Sequence, residues 1–108
     1  MKIINRIKAN DDFATTIKKG KTQRDQSYVI HYNTTSLNYT RVGISVSSKL
    51  GNAVVRNHIK RQIRSMCDEL IDYQTQSLDI VIVAKQGFLT NSYDDNKESL
   101  TKLLKFCR

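Results

Sequence analysis

Proline and tryptophan are absent from this chain of 108 residues, which has only four glycines and two cysteines. No interdomain linker, internal repeat or low-complexity segment is visible. The length therefore describes one domain, with a real though modest core. Cys67 and Cys107 match no metal-ligand spacing. Each falls on the apolar side of an expected helix, where a free thiol behaves as a small hydrophobe. Both are expected to be reduced, in a cytoplasmic protein. No apolar run approaches the ~20 residues of a membrane span. Met1 to Asn10 lacks the apolar stretch of a secretory signal. There is no P-loop, no Gly-x-Ser-x-Gly, no His-Glu-x-x-His and no paired-cysteine zinc pattern.

Acids are also missing where bases crowd. The chain has 18 Lys and Arg against 10 Asp and Glu, a net charge of +8. From Arg41 to Cys67 no Asp or Glu occurs at all. Within that window Val42 to Ser47 alternates apolar with small or polar residues, as a half-buried strand does. Lys49, Leu50, Gly51 and Asn52 then make a turn, Gly51 tolerating positive φ and Asn52 suited to capping a helix. From Ala53 the period becomes helical. Val55, Ile59, Ile63, Met66, Cys67 and Leu70 fall on one face, and Arg56, Asn57, Lys60, Arg61 and Arg64 on a neighbouring one. A basic amphipathic helix could also suit a membrane surface, an acidic protein or plain solvent. Without acids, however, no i,i+4 ion pair can neutralise it, and clustered cations of this kind are the footprint of a polyanion partner.

The remaining chain reads in order as follows. Residues 1–8 are basic and expected to be loosely held. Asp11 to Lys19 is a short helix with Asn10, Asp11 and Asp12 at its acidic start, Lys18, Lys19 and Lys21 around its end, and Gly20 as its stop. Phe13 and Ile17 give it an apolar strip, Phe13 being a ready core anchor. Lys21 to Ser27 is polar and expected to cross the surface. Tyr28 to Tyr32 is a strand with Tyr28, Ile30 and Tyr32 on one face and Val29 and His31 on the other. Asn33 to Asn38 turns it into a second strand, Tyr39 to Ser47, as an antiparallel hairpin. The basic helix runs from Ala53 to about Asp72, turning acidic at Asp68, Glu69 and Asp72. Tyr73 to Ser77 is a polar connection. Leu78 to Ala84 is the most apolar run and β-branched, so it is a buried central strand reached by a parallel crossover. Lys85-Gln86-Gly87 is a turn. A last helix opens on a Ser92/Asp95 cap and shows a stripe of Tyr93, Leu100, Leu103, Leu104 and Cys107, with Lys102, Lys105 and Arg108 at its end. The fold class is therefore α+β. It is an α/β sandwich of one small domain, in the order α-β-β-(β)-α-β-α, with one layer of helices on a mixed sheet.

The stretch Arg41-Val42-Gly43, Ser45-Val46-Ser47, Lys49, Gly51-Asn52-Ala53-Val54, Arg56-Asn57, Lys60-Arg61 and Arg64 resembles the protein subunit of bacterial ribonuclease P. Ser48 and His58 depart from that pattern, standing where a Lys and an Arg are common, and Ile17 stands where a second aromatic is frequent. The resemblance implies a left-handed crossover around the central helix. It implies a subunit that assists endonucleolytic removal of the 5′ leader from precursor tRNA, with catalytic atoms and magnesium ions held mainly by the RNA and no cofactor on the protein alone. Lys49, Asn52, Arg56, Asn57, Lys60, Arg61 and Arg64 would dock on the catalytic RNA. Phe13, Tyr28, Tyr32 and Ser47 would be candidate contacts to the leader, unless the aromatic rings among them fill the core. The expected partners are the catalytic RNA and precursor tRNA, with neither DNA nor membrane. Three other readings of the residues remain: a general structured-RNA or ribosome-binding module, a helix for a DNA major groove, and a metal-independent nuclease using His31 and His58.

Overall fold

The computed structural model describes residues 1–74 and 77–107. Part of the polar connection before the apolar strand, and the expected cation Arg108, lie outside the described residues. Among the described residues, four α-helices and four strands follow a one-turn 3-10 helix at Ile3–Asn5: α1 (Asn10–Lys19), β1 (Lys21–Arg24), β2 (Tyr28–Thr34), β3 (Arg41–Val46), α2 (Ala53–Leu70), β4 (Leu78–Ala84), α3 (Gly87–Thr90) and α4 (Tyr93–Leu104). No helix among the described residues is long and apolar enough to cross a membrane.

The sheet order is β1-β2-β4-β3. β4 is central because both its faces are apolar: Ile80, Val81 and Ile82 are all buried. It pairs parallel with β3, as the strand-helix-strand order requires, and antiparallel with β2. The expected hairpin between the Tyr28 and Tyr39 strands is thus corrected. β4 lies between them and satisfies the inner edges of both with hydrogen bonds. A second correction concerns Lys21 to Ser27, whose first four residues form β1, antiparallel to β2. The turn joining them is held by Asp25 Oδ1, which accepts from the backbone N–H of Ser27 and of Tyr28 at 2.8 and 3.0 Å.

Alternation along the strands sorts the residues between two faces. Tyr28, Ile30 and Tyr32 of β2 line up with Ala84, Ile82 and Ile80 of β4, and these with Val46, Ile44 and Val42 of β3. On this face Ile59, Ile63, Met66 and Cys67 of α2 and Leu100 and Leu103 of α4 complete the core. Tyr28 is wholly buried, its hydroxyl donating to the Asn96 carbonyl at 2.9 Å. Asn96 is itself buried, accepting from Ser27 Oγ and donating to the Phe88 carbonyl. These three buried polar side chains are thereby paired, as stability demands. Both cysteines are free and buried. Burial pushes the Cys67 thiol up to about 12 and that of Cys107, just past α4, up to about 11.

α1 lies on the opposite face, so the single helical layer expected becomes helices on both sides. Its N-cap is Ala9, without a side-chain cap, and Gly20 ends it in extended backbone. Arg41 holds it down, donating from Nε and Nη2 to Asp79 at 2.9 and 2.7 Å and from Nη1 to Asp12 at 3.2 Å. The N-terminal segment is not loose either. Arg6 bridges parallel to Val42, the Ile7 N–H donates to the Val42 carbonyl, and Asn5 and Ile7 are buried. The free edge of β3 supplies the hydrogen bonds that a basic composition does not advertise.

Candidate nucleic-acid interface

The route from β3 into α2 is built by local caps. Ser47 Oγ accepts from the Lys49 N–H at 3.2 Å and starts a single 3-10 turn over Ser48–Leu50. Gly51 follows with φ 152°, and a Cβ there would come within 2.8 Å of Val55. Asn52 Oδ1 then accepts from the Val55 N–H at 3.0 Å, capping the helix. The first turns of α2 thus present free N–H groups and the positive end of the helix dipole beside Lys49, a setting suited to phosphate.

The cations of α2 fall into two sets. Arg56, Lys60 and Arg64 are half-buried and follow one another at four-residue spacing. They form a stripe about 12 Å long beside the core-facing side. Asn57 and Arg61 are exposed, next to His58 and Val54. Among the described residues none of Lys49, Arg56, Lys60, Arg61 and Arg64 joins an ion pair. Arg56 Nε is buried without a hydrogen-bond partner. The acids at the far end of α2 are occupied: Asp68 accepts from the Met1 amino group and from the Tyr73 hydroxyl, and Glu69 pairs with Lys97. Positive charge on the first turns is therefore uncompensated from within.

The stripe leads to the sheet face that α1 only partly covers. Phe13 sits with its ring tip on Gly43, so close that a Cβ on that glycine would lie 2.4 Å from Cζ. Beside the ring, at the β3 edge of the sheet, is a recess of about 100 Å³ whose lining includes Phe13, Gly43, Ile7, Arg6 and Arg64. The open face continues through half-buried Val29, His31, Ser45 and Val83, with Ile17 of α1 43% exposed at its border. His31 Nδ1 lies 3.1 Å from Thr22 Oγ1. Burial, and then the nearby Arg24 charge, hold its imidazole below the ordinary value of 6.5, so it is neutral at neutral pH.

The expected leader contacts divide accordingly. Phe13 is on the open face. Tyr28 and Tyr32 are not: they are 0% and 5% exposed and point to the opposite side, against α2 and α4. Those rings fill the core, and the correction follows from strand alternation, since any residue sharing a face with Ile30 shares its burial. Ser47 is exposed but serves as a cap. Alternation also identifies the groove residues that the tyrosines displaced, namely Val29 and His31. Arg41, within the matching motif, is spent on Asp79 and Asp12. Among the described residues no three His, Cys, Asp or Glu side chains come together to hold a metal ion.

The family model described as Ribonuclease P matches residues 1–108. The ribonuclease P protein component of Mesoplasma florum is 46% identical over 99 residues, covering 91% of this chain and 90% of the relative. That of a Bacillus cereus strain is 42% identical over 106 residues, covering 97% and 92%. The solved RNase P protein of Staphylococcus aureus superposes with a TM-score of 0.83 at 36% identity, covering 94% of this chain and 93% of that one. The RNase P protein of Thermotoga maritima gives 0.83 at 27% identity, covering 95% and 97%.

Proposed function

We infer the function from the family: the chain belongs to the ribonuclease P proteins and is the protein subunit of that ribonucleoprotein. In our reading it supplies no catalytic group. The catalytic atoms and their magnesium ions reside in the RNA partner, in the cytoplasm, and precursor tRNA rather than DNA is the substrate. Lys49, Arg56, Asn57, Lys60, Arg61 and Arg64 dock on the catalytic RNA, with Asn52 shaping the helix start. The groove bordered by Phe13, Ile17, Val29, His31 and Ser45 takes the single-stranded leader.

One observation carries this reading. An unpaired cationic stripe runs from Arg56 to Arg64 and opens at Arg64 onto the Phe13 recess. Phosphates of one strand can follow the stripe while bases meet the aromatic ring and the apolar sheet face, as in sequence-tolerant single-strand binding. Two consequences help cleavage. Bound cations offset the repulsion between two RNAs, and leader contacts favour precursor over product, because the product lacks them.

The test is cleavage of precursor tRNA at low magnesium by a bacterial ribonuclease P RNA, with and without this protein, beside the protein alone. Cleavage at the mature 5′ end that needs both components is the expected result. Binding without stimulation would leave a general RNA-binding module, and cleavage by the protein alone would restore the histidine nuclease.

A further inference from the structure

A second cluster of cations lies at the end of α1 and on β1. The stretch Lys18 to Arg24 reads K-K-G-K-T-Q-R, and its four cations, Lys18, Lys19, Lys21 and Arg24, are all exposed. None joins an ion pair among the described residues. The helix dipole accounts for Lys18 and Lys19, and a lysine on an edge strand guards against unwanted pairing, which accounts for Lys21. Neither accounts for Arg24. Its register partner is Val29, and two residues before it Thr22 faces His31, so Arg24 and Thr22 project on the open sheet face. The Arg24 charge is felt at the His31 ring. The adjacent acid, Asp25, turns its carboxylate onto its own turn instead.

β1 is the edge opposite β3. With strands ~4.8 Å apart, the two edges are separated by about 14 Å. Lys21, the register partner of Tyr32, projects on the other face, so a strand entering at the α2 stripe and crossing the groove leaves the sheet at β1 beside Arg24, with Lys18 and Lys19 at the nearby end of α1. We propose that Lys18, Lys19 and Arg24 form a second phosphate-binding site, which takes the 5′-distal backbone of a single-stranded leader after it has crossed the open face. The inference rests on the leader reading above and extends it from a groove to a path with two charged ends.

The experiment measures affinity of the reconstituted holoenzyme for precursor tRNAs with leaders of graded length, from one too short to cross the sheet to one that overruns it, across a range of salt. The variant is Lys18→Gln with Arg24→Gln, both at exposed positions. Each lost contact to a single strand makes the log–log salt slope shallower by about 0.7. Two lost contacts amount to about 1.4, or roughly a sevenfold smaller loss of affinity over a fourfold rise in salt. The expected result is weaker binding and a shallower slope for long leaders only, with Arg24→Lys in place of Arg24→Gln recovering part of both. Equal weakening for every leader length, mature tRNA included, would overturn the proposal in favour of a general field effect. No change at any length would overturn it too. Should the unaltered holoenzyme show no leader dependence at all, the groove reading itself falls and the second site with it.

Discussion

Replacing Gly43 by alanine would put a methyl group into space held by the Phe13 ring. The added Cβ would lie 2.4 Å from Cζ and 2.7 Å from Cε1, well inside contact distance. The backbone of β3 is pinned on one side by β4 and on the other by the Arg6–Val42 bridge. The ring must therefore move, and the recess of about 100 Å³ beside it gives it somewhere to go. Overpacking of this kind costs about 1–3 kcal/mol. Against it stands a gain of about 0.4–1 kcal/mol from the lower entropy of the unfolded chain. The net loss is about 0–2.6 kcal/mol, which a domain of ordinary stability survives. In a Phe13→Ala background the obstacle is gone, and Gly43→Ala should stabilise by about 0.4–1 kcal/mol. The sign reversal is the decisive quantity. Urea unfolding of the two single variants and the double variant measures it, with unchanged slope m as the condition for comparison. Gly43→Ala should also weaken precursor binding while leaving mature tRNA unaffected, because the displaced ring no longer borders the groove. An equal cost in both backgrounds would refute the seating of Phe13 on Gly43, and with it the shape assigned to the recess.

Tyr28→Phe removes the hydroxyl that donates to the Asn96 carbonyl; unfolding should show a loss of about 0.5–1.5 kcal/mol with precursor affinity unchanged, whereas a drop in affinity would return Tyr28 to the groove. Arg56→Ala and Arg61→Ala should each weaken binding of the catalytic RNA and make its salt slope shallower by about 0.9, and unchanged slopes in both would remove α2 from the RNA interface. The folded state holds the His31 pKa below the 6.5 it starts from. The unfolded chain therefore takes up the proton first. Stability is fully present above 6.5 and falls as pH drops from there towards the folded value. His31→Gln should flatten that part of the acid dependence of the urea midpoint, and a superimposable pH curve would contradict the placement of the ring.

Much of the fold was legible because local signals agreed. The apolar run Leu78–Ala84 and its place at the centre follow from a β-branched stretch with no polar face. The caps at Asn52 and Ser92 lie where the residue types put them. The cationic set on α2 is read directly from spacing and from the lack of acids. β1 escaped notice because K-T-Q-R has no apolar alternation: as an edge strand its hydrogen bonds, not its side chains, decide its place. The pinning of Arg6 and Ile7 is missed for the same reason, since a basic segment can serve as a strand wherever a free edge awaits it.

The sequence by itself determined which helix carries the charge and which strand is buried, because helical and strand periods are properties of neighbouring residues. It also determined the family, through a motif contiguous along the chain. Tertiary structure alone decided which face of β2 meets the helices and which stays open. Tyr28 and His31 are both plausible contacts in one dimension. Once Ile30 packs against Ile82, a period of two sends Tyr28 into the core and leaves His31 on the groove side. The partnership of Phe13 with Gly43 and Arg64 is likewise a matter of packing, for these residues lie on three elements that only the folded sheet brings together.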